Sequence, residues 1–310
     1  MRETMDRRHF LAAAGTGVGA LVAAACGERP SSSDSTAARA DTARVDTAGA
    51  RTTTARSRPG RSGQIGVQLF TVRDRMKADL PGTLAALAAI GYREVEFAGY
   101  FQYEKDPKAL RALLDRHGLT APSVHVPIDT LRSKLAATLA AAEVLGHRYV
   151  VCPSIDAGKG VDDFRRTAAE LDRIGEACRE RGFRFGYHNH EFEFKRAGET
   201  SFYDVLLNET GPKRVTFEMD LFWATKAGED PVDFFRRYGD RFPLWHVKDM
   251  RDVHGAQEMV AVGEGEIDYA GIFEHAGEAG LDHFFVEHDD PKDSLASART
   301  SYDNLRRLLS

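Results

Sequence analysis

Histidines and carboxylates recur in this chain at the ends of short apolar runs. His125 ends one; others end in His188-Asn189-His190-Glu191, in Glu218 and Asp220, in His246-Val247-Lys248-Asp249 and in Glu287-His288-Asp289, while Glu94 and Glu96 lie within a further run. Singly, each suits a solvated charge or a satisfied buried group. Six such ends gathered together would be costly to bury unless the ionisable groups were paired or bound to a cation. Imidazole nitrogens and carboxylate oxygens suit a divalent cation, held with open positions for a substrate and acting as a Lewis acid. The three cysteines, Cys26, Cys152 and Cys178, form no CxxC pair, so neither a disulfide framework nor a thiolate zinc site is indicated.

The runs that must position these groups fall at 65–70, 94–97, 123–126, 149–152, 183–188, 214–219, 244–247 and 283–286. Between them the apolar residues take helical spacing, as in Leu84-Leu87-Ile90, Leu110-Leu113-Leu114, Leu131-Leu135-Leu139 and Phe164-Leu171-Ile174-Cys178. Later examples are Phe234-Phe235-Tyr238 and Tyr302-Leu305-Leu308-Leu309. Gly91, Gly118, Gly146, Gly182 and Gly280 stand where such helices would end. Strand–helix alternation implies parallel βαβ units. Eight of them over residues 64–310 predict an α/β fold, a closed (β/α)8 TIM barrel, better than an open doubly wound sheet. No Gly-rich dinucleotide fingerprint follows the first strand, which argues against a nicotinamide enzyme. In such a barrel the C-terminal strand ends carry the chemistry.

From Ile65 onward the chain resembles the xylose-isomerase-like barrels, the sugar phosphate isomerase/epimerase superfamily that includes inosose dehydratases. The segments that carry the resemblance are Gly66-Val67-Gln68-Leu69, Tyr187-His188-Asn189-His190-Glu191 and Met219-Asp220-Leu221-Phe222-Trp223. His246-Val247-Lys248-Asp249, Gly263-Glu264-Gly265-Glu266-Ile267-Asp268-Tyr269 and Val286-Glu287 complete the set. The resemblance implies metal ligands at Asp220, His246 and Glu287, with the fifth-strand ligand falling on His188 where many epimerases carry Glu. That replacement argues against a symmetrical two-glutamate epimerisation. His190 or Glu191 remains an alternative for the fifth-strand ligand, because His188 and His190 alternate to the same side of a strand.

The resemblance further implies a carbonyl and adjacent hydroxyl of a sugar bound to the cation (Mn, Mg, Co or Zn). Glu287 or His190 would act as base, an enediolate stabilised by the cation would form, and Lys248 would serve as acid or counter-charge. His125, Trp223, Arg251 and Glu264 are the expected substrate contacts, Glu264 within a flexible Gly263–Gly265 loop. Lys248 has an ordinary alternative in pairing with Asp249 or Glu264. The expected function is isomerisation or epimerisation of an unphosphorylated sugar or keto-sugar. Dehydration or lysis of a keto-sugar or 3-keto-glycoside is the alternative, and a non-catalytic sugar-binding lipoprotein the reading of another class.

The start of the chain reads as an address. Arg7-Arg8-His9-Phe10-Leu11 precedes an uncharged Ala/Gly/Val/Leu stretch ending at Ala25-Cys26, which resembles a twin-arginine signal with a lipoprotein cleavage site at residues 1–26. Cys26 would then be a lipid anchor and the protein periplasmic or membrane-anchored. Residues 27–63, rich in Ser, Thr, Ala and Arg with Val45 the only large aliphatic, read as a disordered linker to the barrel at 64–310. Residues 1–63 hold ten Arg against six acidic residues, which leaves net −9 for the rest. So acidic a domain excludes nucleic acid as the default partner and disfavours a nuclease on the same barrel. A small-molecule sugar is the expected partner, with oligomerisation open.

Overall fold

The computed structural model describes residues 63–310 apart from Lys159; the expected signal, the Cys26 anchor and the linker up to residue 62 lie outside the described residues. Eight parallel strands close into a barrel. They are β1 (Gly66–Gln68), β2 (Glu94–Ala98), β3 (Thr120–His125), β4 (Tyr149–Cys152), β5 (Arg184–His188), β6 (Val215–Asp220), β7 (Leu244–Val247) and β8 (His283–Val286). Each lies within two residues of its expected run at the C-terminal end, and β8 pairs with β1 to close the ring. The expected TIM barrel is therefore observed.

Helices cover the outer face. The helix Val161–Glu180 shows why: Phe164, Ala168, Leu171, Ile174 and Cys178 recur three or four residues apart and are buried, while its first turn carries Asp162 and Asp163. Aspartates start several of the others by accepting a backbone N–H, Asp106 from Ala109, Asp230 from Val232 and Asp293 from Ala296. Among the described residues no helix is long and apolar enough to cross a membrane.

Inside the barrel the side chains stack in layers. Near the N-terminal ends Glu94 meets His283 at 2.8 Å, and Arg184 donates to Asp282 at 3.1 Å. Above lies an apolar plug of Tyr149, Val151, Leu244 and Phe285. Gly66 on β1 makes room for it, since a Cβ there would come within 2.5 Å of the Phe285 ring. Polar side chains fill the layers above the plug, because the C-terminal halves of β2, β6 and β7 alternate inward with Glu96, Glu218, Asp220 and His246. Two short hairpins interrupt the βα pattern: 196–197 with 200–201, and Asp249–Val253 with Ala256–Val260. Neither was expected; the second is exposed along most of its length, so its residues carry no period-two apolar signal.

Candidate metal centre and catalytic site

At the C-terminal mouth the ends of β5, β6, β7 and β8 bring His188, Asp220, His246 and Glu287 together, with ligand atoms from all four within 4.8 Å of one another and all four side chains buried. Each is aimed by its neighbours. Asp220 caps the helix Leu221–Lys226, so Oδ1 accepts from the Trp223 N–H at 3.1 Å and Oδ2 is left facing the site. Asn189, fully buried, splints β5 to β6: its Oδ1 accepts from the Asp220 N–H at 3.0 Å and its Nδ2 donates to the Asp220 carbonyl at 3.3 Å. His188 Nδ1 lies 3.1 Å from the Pro153 carbonyl, and on the other side of the ring Nε2 lies 3.2 Å from Asp220 Oδ2, so the ring is held between the two.

His246 Nδ1 is buried and 2.8 Å from Glu287 Oε2, yet it is aligned for a hydrogen bond to no group, an orphaned nitrogen that a cation among these side chains would satisfy. Two imidazole nitrogens and two carboxylates are a donor set suited to a divalent transition metal. The residues present therefore fit such an ion. His188 takes the fifth-strand position; Glu191 is exposed and 3.5 Å from Lys226, and His190 stands outside the four-residue cluster.

Lys248, one residue past β7, closes the cluster. Its Nζ is 2.9 Å from Asp220 Oδ2, 2.6 Å from Glu287 Oε2 and 3.0 Å from Asp289 Oδ1. Burial alone would lower its pKa, but those three carboxylates reverse the effect and hold the ammonium well above its ordinary value. Burial would likewise raise Glu287, and the Lys248 ammonium instead brings it well below the usual carboxylate range. The ordinary pairings expected for Lys248, with Asp249 or Glu264, are not the ones formed. Asp249 instead ties down the following loop: its Oδ2 accepts from the Gly263 N–H at 2.8 Å and the Gly265 N–H at 3.1 Å, and its Oδ1 from Met250 at 2.9 Å. The loop expected to be flexible is thus fastened.

His190 borders the cluster, its ring centroid 4.8 Å from that of His188 and 5.9 Å from that of Trp223. Burial and the nearby Lys248 ammonium push its pKa well below the ordinary histidine value, so the ring is neutral, with Nδ1 buried and without a hydrogen-bond partner. Trp223 also lies beneath Lys226, whose Nζ is 4.7 Å from its ring, and 5.9 Å from the Lys248 Nζ. His125 completes the group, its ring 5.2 Å from both His188 and His246. Arg251 and Glu264 are not brought in. Both are exposed, Arg251 facing Glu258 across the second hairpin and Glu264 in the loop that follows it. Glu94 also lies elsewhere, near the opposite end of the barrel with His283.

Sequence reasoning had assigned no role to a second polar layer under the site. Glu96 and Glu218, both without exposure, meet His246 Nε2 at 2.7 and 3.2 Å through their Oε2 atoms, and His125 Nε2 at 3.3 and 2.6 Å. Glu193 was missed as well. It is fully buried, accepts from the Tyr187 hydroxyl and from the His190 N–H at 2.8 Å, and its carboxyl is pushed up to about 7 by burial. The only signal for Glu96 and Glu218 was the period-two spacing to Glu94 and Asp220.

Comparisons with known proteins agree on the barrel. The family described as xylose isomerase-like TIM barrel matches residues 84–308. An inosose dehydratase of Lacticaseibacillus casei is 26% identical over 235 residues, covering 63% of this chain and 77% of the relative. A sugar phosphate isomerase/epimerase from Parabacteroides distasonis superposes with a TM-score of 0.66 at 25% identity, covering 78% of this chain and 93% of that one. The protein IOLI, solved with a bound zinc atom, shares the fold at a TM-score of 0.63 and 14% identity, covering 79% of this chain and 98% of its own.

Proposed function

This chain belongs to the xylose isomerase-like TIM barrels, and from that membership we propose a divalent-cation-dependent enzyme that removes the proton beside a carbonyl in an unphosphorylated sugar or polyol ketone. The observation that carries the reading is the buried set His188, Asp220, His246 and Glu287, with Lys248 among its carboxylates and a neutral His190 at its edge.

Those four residues would hold the cation, which when bound would supply Lewis acidity toward the carbonyl and so acidify the adjoining C–H. His190 is the base best prepared for that proton, being neutral with an uncommitted Nδ1. Glu287, held ionised by Lys248, is the second. The Lys248 ammonium balances negative charge growing on the substrate oxygen, or protonates a departing hydroxyl. His125 offers a contact for a substrate hydroxyl, and Trp223 an apolar wall for the ring.

Returning the proton at another carbon yields an isomer or epimer; losing a β-hydroxyl yields a dehydrated ketone. The acid–base set is unequal, one fixed ammonium opposite a neutral imidazole, with His188 where a second glutamate would serve a symmetrical epimerisation. Together with the inosose dehydratase relatives, this supports dehydration of a cyclic polyol ketone such as an inosose over epimerisation. The lack of a Gly-rich phosphate cradle and the twin-arginine motif support an unphosphorylated substrate met outside the cytoplasm, with Cys26 as the anchor. Cell fractionation with and without Cys26→Ser tests that placement.

The functional test strips the protein with a chelator, reloads it with manganese, cobalt, magnesium or zinc, and follows an inosose and a panel of free ketoses by proton NMR in D2O. Cation-dependent exchange at the carbon beside the carbonyl, lost in Asp220→Asn, is the expected result. Thermal stabilisation by a sugar with no exchange under any cation would sink the enzyme and leave a binding protein.

A further inference from the structure

A hydrogen-bond chain that begins on β1, two strands away from β7 around the barrel, reaches His246. The Phe70 N–H donates to Gln68 Oε1 at 3.0 Å, so the Gln68 amide is turned with its Nε2 toward β2, where it donates to Glu96 Oε2 at 2.7 Å. The same oxygen lies 2.7 Å from His246 Nε2 and 3.3 Å from His125 Nε2. An oxygen on which an amide N–H and two imidazole nitrogens converge is placed to accept from all of them. Gln68, Glu96 and His246 are all without exposure, so water cannot offer an alternative partner.

We propose that Gln68 and Glu96 are positioning residues: the Phe70–Gln68–Glu96 chain holds the proton of His246 on Nε2 and thereby turns the Nδ1 lone pair toward Asp220 and Glu287. This rests on the reading that His188, Asp220, His246 and Glu287 hold a cation. It also accounts for His246 Nδ1 having no hydrogen bond although Glu287 Oε2 is 2.8 Å away. A carboxylate behind a ligating histidine fixes its tautomer and ring orientation, and its removal typically weakens metal binding about 10- to 100-fold. Glu96, His125, Glu218 and His246 could by type hold an ion of their own, but His246 Nε2 and Glu96 Oε2 are already joined to each other, which favours the orienting role.

The test compares the full chain with Glu96→Gln and with Gln68→Met, which leaves His246 and its immediate partner in place. Zinc is titrated calorimetrically, bound zinc is counted per chain, thermal melting reports folding, and histidine ring 15N shifts in the zinc-loaded protein report the tautomer. Expected are one zinc per chain, His246 protonated on Nε2 in the wild type, at least a tenfold weaker affinity in Glu96→Gln, and a smaller loss of the same kind in Gln68→Met. Unchanged affinity and 15N shifts in the folded Glu96→Gln variant would overturn the inference. So would two zinc ions per wild-type chain with one lost in Glu96→Gln, since Glu96 would then be a ligand. If Glu96→Gln does not fold, Gln68→Met decides alone, unchanged affinity and shifts overturning the inference. A wild type that binds no zinc at all would instead remove the cation reading on which the inference stands.

Discussion

Replacing Lys248 with Met takes one positive charge from among three carboxylates. Its Nζ lies within 3.0 Å of oxygens on Asp220, Glu287 and Asp289, and the first two of those residues are 0% and 5% exposed. Water therefore cannot take over from the ammonium at Asp220. Removing one partner of a buried ion pair costs about 3–5 kcal/mol, because the other charge is left uncompensated. For a barrel of this size that lowers the melting temperature by roughly 2–4 °C per kcal/mol. The deficit should appear in full only with a chelator present. A divalent cation bound by the same two carboxylates would supply the missing charge, and a ligand at a thousand times its Kd adds about 4 kcal/mol. Since the ammonium and the cation draw on the same oxygens, Lys248→Met should also bind the cation at least as tightly as the wild type. Turnover should nonetheless fall by about 10²–10⁴ through loss of the acid. Urea unfolding of both proteins, with chelator and with saturating manganese, measures all but the last. A deficit that manganese leaves unchanged, or a weaker cation affinity in the variant, would refute the reasoning that Lys248 and the cation share Asp220 and Glu287.

Three further outcomes follow from particular contacts. Glu193 has its carboxyl pushed up from 4.5 to about 7 by burial, so the folded protein holds a proton that the unfolded chain releases as pH rises. Its contribution is therefore most favourable below about pH 4.5 and is lost by about pH 7, and Glu193→Gln should flatten the stability profile over that window by up to about 3 kcal/mol; urea midpoints at several pH values check it, and an unaltered slope contradicts it. Asp249→Asn replaces a buried carboxylate that accepts from the backbone N–H groups of Met250, Gly263 and Gly265 with a side chain that has only one acceptor oxygen. A loss of about 2–4 kcal/mol is expected, with faster hydrogen exchange at Gly263 and Gly265 as the local sign. Gly66→Ala would drive a methyl to 2.5 Å from the Phe285 ring and should cost about 1–3 kcal/mol by calorimetry without changing the number of cations bound.

Much of this was legible in the chain itself. The alternation of apolar runs with helical spacing determined eight βα units, because burial on a sheet and on a helix imposes different periods. The residue types at the strand ends marked where a polar site would gather, since His188, Asp220, His246 and Glu287 are costly to bury together unpaired. Local order also placed Asp220 and Lys248 next to strand ends, where a barrel must converge.

Tertiary structure alone decided the pairings. Lys248 has Asp249 beside it in sequence yet meets Asp220, Glu287 and Asp289, because the closing of the barrel, not chain separation, sets which charges come within 3 Å. The same closure took Glu94 toward the end away from the site while leaving Glu96, two residues on, against His246. A period of two tells which side of a strand faces inward but not how high in the barrel each layer sits. That height follows from strand stagger, which is set by pairings between residues as distant as Gly66 and Phe285 and is written in no local pattern.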